Sequence, residues 1–369
     1  MKKVKTIALM VAVGMLGSVC LVGCGGGSES SSLKEENSSS KEETTMQEVS
    51  VYMPDGAPAM AFAKLMKEDT ETDNVTYKVV NPSTIATKLT NSDEEKNADI
   101  CVLPVTAASK LVGDGTRYQM LGVVTNGNLC ILSKDENLKT ALESANYQDV
   151  SYLVGKTVDV MKINDLPGVT FKAILDGYGV AWQELKNDGE VAADKVNLKA
   201  IVDATAIDPL TTDIACYVVA EPAASVQVKK NGFTNVCTVD VLYDTVAHSG
   251  ETATFSGYPQ AVMVAKCSLL QEEADWVNGF LEDVQSSIAS LNSGELTGEE
   301  VVSLITAHQE DPYYKTTLNA AVLTADVIAR CAVRFADNTS AKDAVQAYLT
   351  RLQGVEATAA KTVGDSFFY

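Results

Sequence analysis

Between residues 49 and 265, short runs rich in β-branched side chains alternate with stretches of helical periodicity, and the whole alternation occurs twice. That pattern confines the chain to an α/β fold. Residues 49–53, 75–80 and 98–103 read as strands, with helices expected over 58–68, 83–90 and 105–112. After apolar runs at 120–124 and 129–132 the pattern restarts. Strands are expected at 156–160, 198–202, 214–219, 235–242 and 260–265, with helices at 169–178 and 222–231 that stop at Gly179 and Gly232. Strands separated by helices predict parallel pairing through βαβ units. From Leu270 onward helical spacing dominates, over 271–291, 298–309, 316–334 and 341–352, as expected of helices that pack the sheets from outside.

The first residues carry a different kind of information. Lys2, Lys3 and Lys5 precede a mostly apolar run, 6–22, which ends in Leu21-Val22-Gly23-Cys24. A positive start, a short apolar stretch and small residues before a cysteine read as a lipoprotein signal, removed at residue 23, with Cys24 taking a diacylglycerol and further acyl chains such as palmitate. The run sits at the lower limit of roughly 17 residues for a spanning helix and is interrupted by glycine. Residues 24–47 hold Ser, Glu, Lys and Gly with almost no large apolar side chain, so they read as a disordered tether. The protein is therefore expected outside the cytoplasm, lipid-anchored to the cell membrane.

About 320 residues follow, enough for two closely associated lobes. The net charge of −20 argues against nucleic acid as a partner and against attachment to anionic lipid through a basic patch. Six further cysteines, at 101, 130, 216, 237, 267 and 331, are spread without a CxxC motif, and three lie in strand-like runs, where free buried thiols are expected over pairing. Two histidines leave little for a metal carrier or a His-based triad, and no phosphate loop or nucleophile elbow stands out. No cofactor and no catalytic residue are expected.

In open α/β sheets, ligands bind where loops leave the carboxyl ends of strands and helix N-termini present unpaired amides. Four loops qualify. They hold Asp55, Gly56, Ala57 and Pro58; Thr106; Leu166, Pro167, Gly168, Val169 and Thr170; and Glu221. Their first-turn amides suit a polar or anionic head, whereas Asp55 or Glu221 would instead recognise an amine or amidine-like nitrogen. The same acidic and small residues also serve plain helix capping and turns. Thr125, Asn126, Gly127 and Asn128 interrupt two apolar runs where the chain passes between lobes, and Tyr258 marks the return. None of the four arginines, 117, 330, 334 and 351, falls in these loops, so a bidentate clamp on an anion is not evident.

The order of several stretches resembles the sulfonate, nitrate, taurine and thiamine-pyrimidine group of solute-binding lipoproteins of ABC importers. They are the cysteine signal at Cys24, Ala98-Asp-Ile-Cys-Val-Leu-Pro104, Leu121-Gly-Val-Val-Thr-Asn-Gly-Asn128, Val154-Gly-Lys-Thr-Val158, Pro167-Gly-Val-Thr-Phe-Lys172, Val218-Val-Ala-Glu-Pro-Ala-Ala-Ser225 and Tyr258-Pro-Gln-Ala-Val-Met-Val264. The resemblance covers 49–291 and implies a two-lobe periplasmic-binding-protein fold of type II with extra C-terminal helices. The first lobe would hold 48–128 with 254–369, and the second 129–253. It implies a monomer that captures a small polar solute between the lobes, through the loops named above, and passes it to a membrane permease. The solute expected is an organic anion such as a sulfonate, or a pyrimidine-like heterocycle. The competing expectations are a same-fold enzyme of the pyrimidine-synthase type and a surface sensor lipoprotein without transport.

Overall fold

Two six-stranded sheets are built from separate parts of the chain. The computed structural model describes residues 48–69, 74–186, 189–248 and 255–369; the expected signal, Cys24 and tether lie outside them. The first sheet contains β1 (Val49–Pro54), β2 (Val75–Val80), β3 (Ile100–Pro104), β4 (Tyr118–Thr125), β11 (Ala261–Lys266) and β12 (Val333–Asp337), in the order β12-β4-β11-β3-β1-β2. The second contains β5 (Leu129–Ser133), β6 (Thr157–Met161), β7 (Trp182–Glu184), β8 (Val196–Ile201), β9 (Ile214–Ala220) and β10 (Thr234–Thr238), in the order β10-β5-β9-β6-β8-β7.

The β1, β2 and β3 strands pair in parallel, as do β6, β7, β8 and β9, which is the βαβ arrangement expected from the alternation. Both sheets are nevertheless mixed, because β11 runs antiparallel to β3 and β4, and β5 runs antiparallel to β9 and β10. Edge strand β12 also runs antiparallel to β4, and β5 and β11 each directly follow a passage between the sheets. Central strands such as Ile100–Pro104 and Leu129–Ser133 are buried along most of their length, which explains their unbroken apolar runs.

Several elements differ from expectation for local reasons. The predicted helix at 83–90 is a 3-10 helix, Ile85–Leu89, following Pro82 and flanked by Thr84 and Thr90, whose hydroxyls hydrogen-bond to the backbone. The strand expected over 235–242 ends at Thr238, where the helix Val239–Ala247 begins. The helix expected over 316–334 shrinks to Ala325–Arg330, capped by Thr324, whose hydroxyl accepts from the Val327 amide at 3.4 Å. Residues 333–337 join the first sheet as β12.

The chain passes between the sheets twice, and the two passages are bonded to each other. Gln260 N donates to Thr125 O at 2.9 Å, and Tyr258 N to Asn126 O at 3.3 Å. Asn128 N donates to Gln260 Oε1 at 2.8 Å, and Gln260 Nε2 to Asn128 Oδ1 at 2.7 Å. Gly127 has φ +97°, and a Cβ there would sit 2.5 Å from the fully buried Tyr258 ring. Gly257 has φ +77°, and its missing Cβ makes room for Asn126 O.

The C-terminal helix Asn338–Val355 does more than cover one sheet from outside. It packs on the helix Leu166–Gly177, which follows β6, and also on β4 and β12. Its Tyr348 ring lies 5.5 Å from both Tyr243 and Tyr258, so apolar contact runs unbroken between the layers of the two sheets. Five of the six cysteines are buried and Cys267 is half-buried, all with free thiols. Burial pushes the Cys237 thiol up to about 12, which leaves it a protonated hydrophobe.

In the second sheet, Asp159 is buried with one carboxylate oxygen unpaired. Burial raises its pKa to about 6 against a smaller opposing pull from Lys199. The folded state then binds a proton that the unfolded chain does not between about pH 4 and 6, so the penalty is full above that window and absent below it. Asp159→Asn is expected to raise the urea midpoint near neutral pH, with the gain fading as pH falls through the window; a pH-independent gain would exclude this origin. At the crossing, Gly127→Ala combines left-handed strain of about 1–2 kcal/mol with the Tyr258 contact. It is expected to destabilise more than Gly232→Ala, where φ is +68° but the space is open, and equal urea midpoints for the two variants would refute the packing argument.

Candidate functional site

The parallel register of β1 with β3 brings Asp55 and Pro104 to the same edge. The Val105 amide then donates to Gln260 O at 3.0 Å, which seats the helix Val105–Leu111, and with it half-buried Thr106, against the second passage. On the other side, the Glu221 amide donates to Asn128 O at 2.8 Å, and Asn128 Nδ2 donates to Glu221 O at 2.9 Å. Loops from both sheets thus gather at the paired crossing.

Their side chains are engaged by the protein itself. Asp55, 5% exposed, accepts at Oδ1 from Thr316 Oγ1 (2.6 Å) and at Oδ2 from Thr317 N (2.7 Å), Thr317 Oγ1 (2.8 Å) and Tyr314 Oη (3.1 Å). Burial and the facing Asp55 carboxylate both push the Tyr314 phenol well above its ordinary range, so it remains a donor. Gly56, at φ +108°, turns the chain into the short helix Ala57–Met60, where Pro58 sits in the first turn and Ala57 is buried.

Glu221 is the most enclosed charge of the set, with its side chain fully shielded from solvent. Its Oε2 accepts from Ser225 N at 3.0 Å, and its Oε1 from Ser225 Oγ at 2.8 Å and Arg330 Nε at 2.7 Å. Arg330 NH2 also donates to Ser225 Oγ at 2.9 Å. Burial works against the Arg330 charge, but the Glu221 carboxylate outweighs it and holds the guanidinium above its usual pKa. Because Arg330 precedes β12 while Glu221 follows β9, this ion pair joins the segments of the two sheets.

Leu166, Pro167, Gly168 and Val169 open the helix Leu166–Gly177, where Gly168 clears the Ile163 carbonyl. Thr170 Oγ1 donates to Leu166 O at 2.6 Å and lies 2.5 Å from Tyr348 Oη. At the crossing, Asn126 N donates to Ala332 O at 2.9 Å and Asn126 Nδ2 to Ser256 O at 3.4 Å, which leaves Asn126 Oδ1 buried without a donor. Thr125 Oγ1 and the Tyr258 hydroxyl are likewise buried without a partner. Burial first, and then neighbouring Tyr348, push the Tyr258 phenol far up. Unmatched buried polar groups are costly in a folded protein, and three at one junction mark it as unusual.

The structure therefore brings the crossing, Glu221, Thr170 and Thr106 together, and ties Asp55 to the C-terminal segment. Three surface grooves, of about 750, 1070 and 500 Å³, lie elsewhere and are not lined by these residues. Sequence reasoning placed Asn128 at the crossing but missed its partner Gln260, and missed Tyr314, Thr316, Thr317 and Arg330. The last was set aside because 316–334 read as one outer helix; Thr324-Ala325-Asp326, a helix-start signature, was the available signal that the helix begins later. No cluster of three or more His, Cys, Asp or Glu side chains suited to a metal occurs among the described residues, and no helix among them is long and apolar enough to cross a membrane.

No protein-family model and no curated protein matches the chain. Solved structures do. A protein described as an ABC transporter from Parabacteroides distasonis is 19% identical with a TM-score of 0.63, over 87% of this chain and 98% of that one. The periplasmic aliphatic sulphonate binding protein SsuA from Escherichia coli is 13% identical with a TM-score of 0.54, over 86% and 96%. The alkanesulfonate-binding protein SsuA from Xanthomonas axonopodis pv. citri, bound to MOPS, is 11% identical with a TM-score of 0.51, over 87% and 97%. The two mixed sheets and their helices thus have the α/β fold of periplasmic binding proteins.

Proposed function

We propose that this chain is an extracytoplasmic solute-binding lipoprotein of an ABC importer, which captures a small polar solute between two lobes and delivers it to a membrane permease. The observation that carries this reading is the paired crossing, where strand-end loops of both sheets converge around three unmatched buried polar groups. In this reading, residues 48–128 with 254–369 form one lobe and 129–253 the other, and 126–128 with 257–260 form the hinge. The solute would contact Asp55 to Pro58, Thr106, Thr125 to Gly127, Leu166 to Thr170, Glu221 and Tyr258. The Arg330–Glu221 pair, which joins the two lobes in this reading, would be broken on opening. A solute stabilises the closed form only by its greater affinity for that form. No cofactor takes part, and the lobes act as a monomer held at the membrane by lipid on Cys24.

Two measurements test this reading. The purified protein screened by thermal shift against sulfonates, nitrate, pyrimidines, amines and amino acids is expected to gain stability with at least one class, by about 2.7 kcal/mol at a hundredfold excess over Kd. Absence of any shift would overturn solute capture. In cells fed labelled palmitate, Cys24→Ser is expected to lose the label and move to the soluble fraction; a variant that stays with the membrane would refute the anchor.

A further inference from the structure

Both carboxylates in the candidate loops are held by one stretch of chain. Tyr314, Thr316 and Thr317 supply four donors to Asp55, and Arg330 supplies the guanidinium to Glu221. Between them, residues 318–324 reach across to the second sheet's layers, where Lys229 Nζ donates to Ala321 O at 2.7 Å. What this segment offers to the two carboxylates is uniform in kind: hydroxyls, an amide and a cation, all acting as donors.

We infer that residues 314–330 act as an internal competitor at the solute site, and that the solute is a donor-rich cation, such as an amine or guanidine, that exchanges with Arg330 at Glu221. This inference rests on the solute-binding reading above and narrows its substrate class. Glu221 is fully shielded and, among the described residues, Arg330 is the one cation paired with it, so a group that displaces Arg330 must bring positive charge with it. An organic anion meets the opposite situation. It would have to draw Arg330 away and strand a buried carboxylate, or bind a guanidinium whose charge is already matched, with the Asp55 carboxylate in the same set of loops.

A second, independent observation agrees. Asn126 is oriented by the Ser256 carbonyl so that its side-chain oxygen, an acceptor only, is buried and unmatched. A buried acceptor without a donor at the crossing calls for a ligand that donates. The net charge of −20 further favours encounter with cations over anions.

The test is calorimetric titration of the full-length protein with agmatine and putrescine as cations, hexanesulfonate and nitrate as anions, and uracil as a neutral ring. The cations are expected to bind, and Arg330→Gln, which removes the competitor, is expected to bind them at least tenfold more tightly. The double variant Arg330→Gln/Glu221→Gln removes the buried charge with its partner and so guards against a folding failure. It is expected to unfold near the wild-type urea midpoint and to lose that gain. Binding of an anion that Arg330→Gln abolishes, or of uracil alone, would overturn the inference while leaving solute capture standing. No heat with any probe, on wild type or either variant, would also overturn it, and the separate thermal-shift screen decides whether solute capture falls too.

Discussion

The joint between the sheets depends on an exchange of amide hydrogen bonds. Asn128 and Gln260 each satisfy the other's side chain, and Asn128 also binds the Glu221 backbone in both directions. Because the two passages are tied to each other, the ends of β4, β5, β9 and β11 are set by one cluster of polar contacts. Loops at those ends cannot shift independently, and any group placed on them is held relative to groups from the other sheet. A pair of unlinked passages would place the same loops without fixing their distances.

Around this polar joint the packing is apolar and close. Gly127 and Gly257 adopt left-handed backbone where a side chain would strike Tyr258 or the Asn126 carbonyl, so each is required by contact as well as by conformation. The Tyr243, Tyr258 and Tyr348 rings meet at centroid distances of 5.5 Å, with interplanar angles from 30° to 86°. Such contacts depend on ring geometry more than on directional bonds, and Thr170 with Tyr348 is a polar tie between the helix Asn338–Val355 and Leu166–Gly177. An interface of that kind resists separation through burial yet tolerates a sliding motion, which is what the proposed hinge beside it would require.

Much of this architecture was legible from periodicity. The strands 100–103 and 214–219 are short apolar runs bounded by polar turns, and burial on both faces explains why they read so clearly. The loops that follow them were found by the same logic, since the position of a loop after a strand follows from chain order. Their partners were not. Arg330 lies more than a hundred residues from Glu221, and Thr316 and Thr317 more than two hundred and fifty from Asp55, so nothing local encodes the pairing. Residues 333–337 hide because Arg334 and Asp337 break the apolar alternation on an edge strand. The direction of β5 and β11 was also hidden, because antiparallel pairing there follows from tertiary passage between sheets and not from a hairpin.

The placement of charge follows from these same constraints. A carboxylate as enclosed as Glu221 must be compensated wherever the two sheets come together, and the helix Ala325–Arg330 is short enough for its last residue to turn toward the junction just before β12 begins. Ser225, in the first turn of the helix Ala223–Asn231, supplies both an amide and a hydroxyl to the same carboxylate. Even without Arg330, Glu221 therefore keeps two donors from its own loop, so the carboxylate is oriented before any cation arrives. In the proposed exchange the cation is the part that leaves, because it comes from a different segment of chain and is partly open to solvent. A solute site organised in the proposed way would distinguish ligands first by the sign of their charge, and only afterwards by shape.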